Sequence, residues 1–159
     1  MTQRLNYFDT SAELSRKYLD FSTALKKSPM AREFGHLVDL RASQINGCGF
    51  CVDMHVKQAR IAGERELRLH HVAVWRESTL FSPRERAALA WTEIVTALPA
   101  HGVSDEAYSA AREHFSETEI SDLTWLIVCI NGWNRLGVTF RTVPGSADAA
   151  YGLDKAGLQ

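Results

Sequence analysis

Three observations predict an all-α, single-domain bundle of about seven helices. Apolar residues recur at spacings of three and four along nearly the whole chain. Helix start and stop signals punctuate that periodicity at regular intervals, and no run alternates apolar with polar residues as a strand would. The chain has 159 residues, with no internal repeat, low-complexity tract or composition shift to divide it. Residues 1–159 therefore read as one domain.

Leu14, Tyr18, Phe21 and Leu25 form one apolar face after a start at Ser11. Pro29 opens a second helix, carried by Phe34, Leu37, Val38 and Leu40 to about Gln44. Asn46-Gly47 ends it, because both residues tolerate the left-handed backbone of a helix terminus. A third helix starts near Cys48 and stops at Gly63, and Glu64 to Glu77 is amphipathic through Leu67, Val72 and Trp75. Ser82-Pro83-Arg84-Glu85 combines an N-cap, a first-turn proline and a capping glutamate, opening a helix that reaches Ala97. Pro99 and Gly102 make a turn before a short helix from Ser104 to Phe115. A second capping box, Ser116-Glu117-Thr118-Glu119, starts the last helix, which runs from Glu117 to about Arg141, ahead of Pro144-Gly145. The tail beyond Pro144 is expected to pack loosely or against a neighbouring subunit.

Composition removes several function classes. Eighteen Lys+Arg against nineteen Asp+Glu leave no basic excess to neutralise phosphates, so no nucleic-acid partner is expected. The first twenty residues carry charges throughout, and the longest apolar run, Trp125 to Ile130, is far too short to span a bilayer. A soluble cytoplasmic protein with no membrane partner is the expectation. No nucleotide, flavin or haem motif is visible, so no cofactor is expected and reducing power must come from a partner.

The chemistry concentrates in Ser43-Gln44-Ile45-Asn46-Gly47-Cys48-Gly49-Phe50-Cys51-Val52-Asp53-Met54-His55. At about 100° per residue, a helix opening at Cys48 would bring Cys48, Cys51 and His55 within an arc of roughly 60°. Only the thiolate attacks a peroxide or disulfide sulfur, and an imidazole one turn from Cys51 can take its proton. The second thiol can condense with the oxidised first one to form a disulfide. The helix dipole favours the thiol nearer the helix start, which is Cys48. Zinc on two thiolates and one imidazole lacks a fourth ligand, so no metal is expected. Cys129, inside WLIVCINGW, reads as a buried small apolar residue.

The run LVDLRASQINGCGFCVDMHVKQARIAGE, Leu37 to Glu64, resembles the core of the AhpD-like alkylhydroperoxidases of the carboxymuconolactone decarboxylase superfamily. The mark is C-x-x-C-x-x-x-H at Cys48, Cys51 and His55. The resemblance extends through Phe81 to Leu98 and Ile130 to Gly145, placing the core motif region at 30–100 and the C-terminal helix and tail at 117–159. It implies an all-helical fold, assembly into trimers or hexamers, and reduction of an organic hydroperoxide with an external dithiol donor as partner. It also implies roles: Cys51 attacks, Cys48 resolves, and His55 belongs to the proton relay. The family usually carries a glutamate twelve positions before the first cysteine, where this chain has His36. His36 could pass protons, and Glu33 one turn away could compensate for the missing charge. Two rival readings are a small-lactone decarboxylase-type acid–base enzyme using His55 and His36, and a non-enzymatic thiol redox sensor.

Other polar residues read as structural. Glu85 fits a cap and Asp53 a surface ion pair, while Glu93 could reach the site from a neighbouring helix. His70, His71, His101 and His114 read as solvated or packing residues. Trp75, Trp91, Trp125 and Trp133 read as core or interface, and Asn131-Gly132 as packing inside the last helix.

Overall fold

The computed structural model describes residues 2–158, which form nine α-helices and two 3₁₀ turns. In chain order these are α1 (Tyr7–Thr10), α2 (Ala12–Leu25), α3 (Pro29–Ile45), α4 (Gly49–Ile61), α5 (Glu66–His71), α6 (Pro83–Ala97), α7 (Asp105–Arg112), α8 (Glu117–Phe140) and α9 (Asp148–Tyr151). The 3₁₀ turns cover Val72–Glu77 and Leu153–Ala156. The expected count of about seven falls short because α1 and α9 are single turns, too short to show a period. The stretch from Glu64 to Glu77 also divides into α5 and a 3₁₀ turn kinked at Val74.

Helix α3 is the centre of the bundle, packing against α4, α6 and α8. Its two apolar faces feed two cores. Phe34 and Val38 join Leu123 and Ile127 of α8 in one; Leu37 and Leu40 join Ala59, Val72, Trp75 and Leu89 in the other. Phe34, Val38, Leu89, Leu123 and Ile127 are fully buried, and each contributes about 1.5–3 kcal/mol of transfer free energy. Capping boxes at Ser82/Glu85 and Ser116/Glu119 start α6 and α8, as the sequence predicts. Among the described residues, no helix is long and apolar enough to cross a membrane.

The tail departs from its expectation. Lys57 of α4, almost fully buried, pairs with Asp53 at 2.9 Å and with Asp148 at 2.6 Å. The Gly145 N–H donates to Asp53, while Leu153 and Ala156 are buried. The segment is thus fastened to the helix that carries the cysteines. Asp53 does form an ion pair, but with a buried lysine.

Candidate active site

The turn between α3 and α4 sets the site. Helix α3 ends at Asn46 in a Schellman arrangement: Gly47 lies at φ +65°, its N–H reaches the Gln44 carbonyl, and the Cys48 N–H reaches the Ser43 carbonyl. The residue that completes this cap is itself the N-cap of α4. Cys48 has extended backbone, and its Sγ accepts the Cys51 N–H at 3.3 Å. Cys48 therefore sits just outside the helix rather than in its first turn.

A buried amide network holds the turn from behind. Asn46 donates to the side-chain oxygens of Asn131 and Asn134, each at 2.9 Å. Asn134 donates to Ser43 Oγ, and Asn131 to Thr96 Oγ1. These partners account for Asn131 within an apolar helix. Gly132 has its own reason: a Cβ there would overlap the Tyr18 hydroxyl, which donates to the Cys129 carbonyl.

Cys48 and Cys51 are joined by a disulfide with Cα atoms 5.3 Å apart. Gly137 of α8 covers it so closely that a Cβ would stand 3.0 Å from Cys48 Sγ and 3.5 Å from Cys51 Sγ. The two sulfurs face different surroundings. Cys48, 1% exposed, is walled in, whereas Cys51 lines a cavity of about 910 Å³.

His55, one turn beyond Cys51, lines the same cavity and is buried. Its Nδ1 lies 3.1 Å from Gln58 Oε1 and 3.6 Å from Asp39 Oδ2. The carboxylate facing Nδ1 favours the tautomer protonated there, which leaves Nε2 as the basic nitrogen. Burial pushes the imidazole pKa below its ordinary 6.5, against the opposing pull of Asp39. Half-buried His36 lines the cavity three residues before Asp39, and burial lowers its pKa too.

The structure thus brings Cys51, His55 and His36 to one cavity, with Cys48 behind. Asp39 escaped the sequence reading, although its spacing from His36 and Ser43 along α3 carries the signal. Gln58, one turn beyond His55, escaped as well. Two expectations are corrected. Glu33 does not serve His36, because its carboxylate pairs with Arg84 at 3.2 Å and it does not line the cavity. Glu93 does not reach the cavity, because Arg41, Arg76 and the Trp75 indole N–H hold its carboxylate elsewhere. Glu85 caps its helix, and Cys129 is a free buried thiol, hydrogen-bonded to Ser22 Oγ at 3.0 Å, that also lines the cavity. Trp133 lines the cavity as well, whereas Trp125 is 51% exposed.

An all-α bundle with this cysteine pair on a central helical turn has AhpD-like architecture. The profile of the Carboxymuconolactone decarboxylase family matches residues 12–93, just over half of the chain, and the chain belongs to that family. The uncharacterized protein YdfG of Bacillus subtilis (strain 168) is 39% identical over 138 residues, covering 87% of this chain and 94% of that one. The uncharacterized protein YnjA of Escherichia coli (strain K12) is 37% identical over 103 residues, covering 64% of this chain and 56% of that one. A crystal structure from Agrobacterium tumefaciens superposes with TM-score 0.86 at 41% identity, covering 90% of this chain and 98% of that one. That protein has unknown function, with an AhpD-type role in antioxidant defence suggested for it. An uncharacterized peroxidase-related protein from Ralstonia eutropha JMP134 shares the fold at TM-score 0.76 and 24% identity, over 87% of this chain and 74% of its own.

Proposed function

We propose that the protein is a dithiol peroxidase that reduces organic hydroperoxides and is reset by an external dithiol. One observation carries the reading: of two bonded sulfurs, only Cys51 faces the cavity that also holds His55. In the reduced protein, His55 Nε2 takes the Cys51 proton, and the thiolate attacks the terminal oxygen of R–O–O–H. The O–O bond breaks, the leaving alkoxide takes a proton to become the alcohol, and Cys51 becomes a sulfenic acid. Cys48 then attacks the Cys51 sulfur, water leaves, and the disulfide forms. Each peroxide thereby takes two electrons from the two thiols.

The same geometry suits the return step. An external thiolate attacks the accessible Cys51 sulfur, and Cys48 leaves as a thiolate at the N-terminus of α4. The dipole argument, which favours charge on Cys48, and the cavity, which admits attack at Cys51, then describe two halves of one cycle. Asp39 is a positioning residue that keeps the His55 proton on Nδ1. His36 is a second proton carrier in the cavity.

Hydroperoxide consumption with dithiothreitol as donor tests this. Cys51→Ser should abolish turnover, and Cys48→Ser, reduced and then freed of dithiol, should consume one peroxide per chain and stop. Full turnover by Cys51→Ser overturns the assignment. Assembly into a trimer or hexamer belongs to the same proposal, supported by Trp125, Val128 and Val138 exposed on α8. Light scattering of the wild type and of Trp125→Glu checks it, and a monomeric wild type contradicts it.

A further inference from the structure

The cavity is far larger than peroxide chemistry requires. Hydrogen peroxide needs about the space of two waters, ~60 Å³, against about 910 Å³ here. That volume falls within the range of sites that enclose a drug-sized organic ligand. The walls beyond Cys51 are apolar: Leu19, Leu25, Leu126, Ile130 and Trp133 contribute to them.

Charge is confined to three lining residues. Asp39 faces His55 from inside, and the other two are cations at the α2–α3 turn. Lys26 caps the C-terminus of α2, and Arg32 lies in the first turn of α3. Both are exposed and both line the cavity, so they stand on its rim. Neither has an ion-pair or hydrogen-bonding partner for its side chain among the described residues. Nine of the thirteen guanidinium groups do have one: Arg41, Arg60, Arg68, Arg76, Arg84 and Arg112 pair with glutamates, and Arg4, Arg86 and Arg135 donate to carbonyl or amide oxygens. The Lys26 charge reaches the reacting groups as well, since it disfavours protonation of both His36 and His55.

We propose that the cavity takes a long apolar hydroperoxide bearing a carboxylate, the chain lying along the apolar wall and the carboxylate held by Lys26 and Arg32 at the rim. This rests on the peroxidase reading and adds the substrate class to it. The reaction is unchanged, with the fatty chain as R. Burying the chain supplies affinity, and the rim cations supply the choice of an acid over its ester.

Binding and chemistry are tested separately. Calorimetric titration of the protein with oleate, below its micellar concentration, should show saturable binding about tenfold tighter than methyl oleate, the worth of two solvent-screened ion pairs. Lys26→Ala/Arg32→Ala should lose that factor for oleate and leave methyl oleate unchanged. Both side chains are exposed, so the variant keeps its core. Linoleic acid hydroperoxide should close the disulfide of the reduced wild type faster than its methyl ester, and both faster than hydrogen peroxide. Equal handling of acid and ester, or no oleate binding, overturns the substrate class even where every hydroperoxide closes the disulfide. Selective oleate binding with no hydroperoxide closing the disulfide overturns the peroxidase reading instead.

Discussion

Gly137→Ala places one methyl group against the redox centre. The new Cβ would meet Cys48 Sγ at 3.0 Å, inside ordinary van der Waals contact, and Cys51 Sγ at 3.5 Å. In the disulfide form neither sulfur can retreat alone, since each is bonded to the other and Cys48 also accepts the Cys51 N–H. After reduction the sulfurs are no longer tied to each other, so Cys48 Sγ can shift by the few tenths of an ångström that the methyl group needs. Overpacking of this kind costs about 1–3 kcal/mol, and it falls mainly on the oxidised state. Alanine also gains about 1 kcal/mol over glycine inside a helix, but equally in both states, so that gain cancels. At about 30 mV per 1.4 kcal/mol for a two-electron couple, the reduction potential should rise by roughly 20–60 mV. Equilibration in dithiothreitol redox buffers, with alkylation to count free thiols, reads it directly. A folded variant whose potential is unchanged or more negative refutes the placement of Gly137 over the sulfurs.

Three further outcomes follow from the same geometry. Asp39→Asn can present an N–H to His55 Nδ1 and favour the wrong tautomer, so hydroperoxide turnover should fall about tenfold or more. In a Cys48→Ser background, the midpoint of the pH profile for Cys51 alkylation should also move upward, and an unmoved profile excludes the role. His55 and His36 have folded pKa values below the unfolded 6.5, so the unfolded state binds more protons as pH falls. Their contribution to stability is therefore complete above pH 6.5 and lost as pH drops below it, by up to about 1.4 kcal/mol per pH unit for each histidine. Urea unfolding at stepped pH checks this, with a shallower loss expected for His55→Gln and contradiction if stability is flat from pH 7.5 to 5.5. Lys57→Met leaves Asp53 and Asp148 facing each other without their cation. Because both carboxylates keep some solvent, the loss should be about 1–3 kcal/mol, with residues 145–156 becoming sensitive to limited proteolysis.

The helices were legible where periodicity and caps agreed. Pro29, Ser82-Pro83 and Ser116 mark starts that the structure keeps, because each satisfies or removes an orphan N–H at a helix end. Single-turn helices carry no period, which is why α1 and α9 were invisible. Within the site, Cys48, Cys51 and His55 could be read from spacing, since Cys48 caps α4 and the other two lie one turn apart within it. Asp39 and Gly137 could not be assigned so readily, because their roles depend on how α3 and α8 pack against α4. Asn46 illustrates the intermediate case. Its place in the Asn-Gly turn is local, but its hydrogen bonds to Asn131 and Asn134 span more than eighty residues of sequence. Glu33 and Glu93 misled for the same reason: their arginine partners lie on distant segments.

The account depends on which sulfur meets the oxidant first. Reduced protein given one equivalent of cumene hydroperoxide, trapped with a sulfenic-acid reagent and mapped by mass spectrometry, answers this. The wild type should yield the Cys48–Cys51 disulfide with Cys129 still a thiol, and Cys48→Ser should carry the trapped sulfenic acid on Cys51. First oxidation at Cys48 or at Cys129, with Cys51 intact, would contradict it.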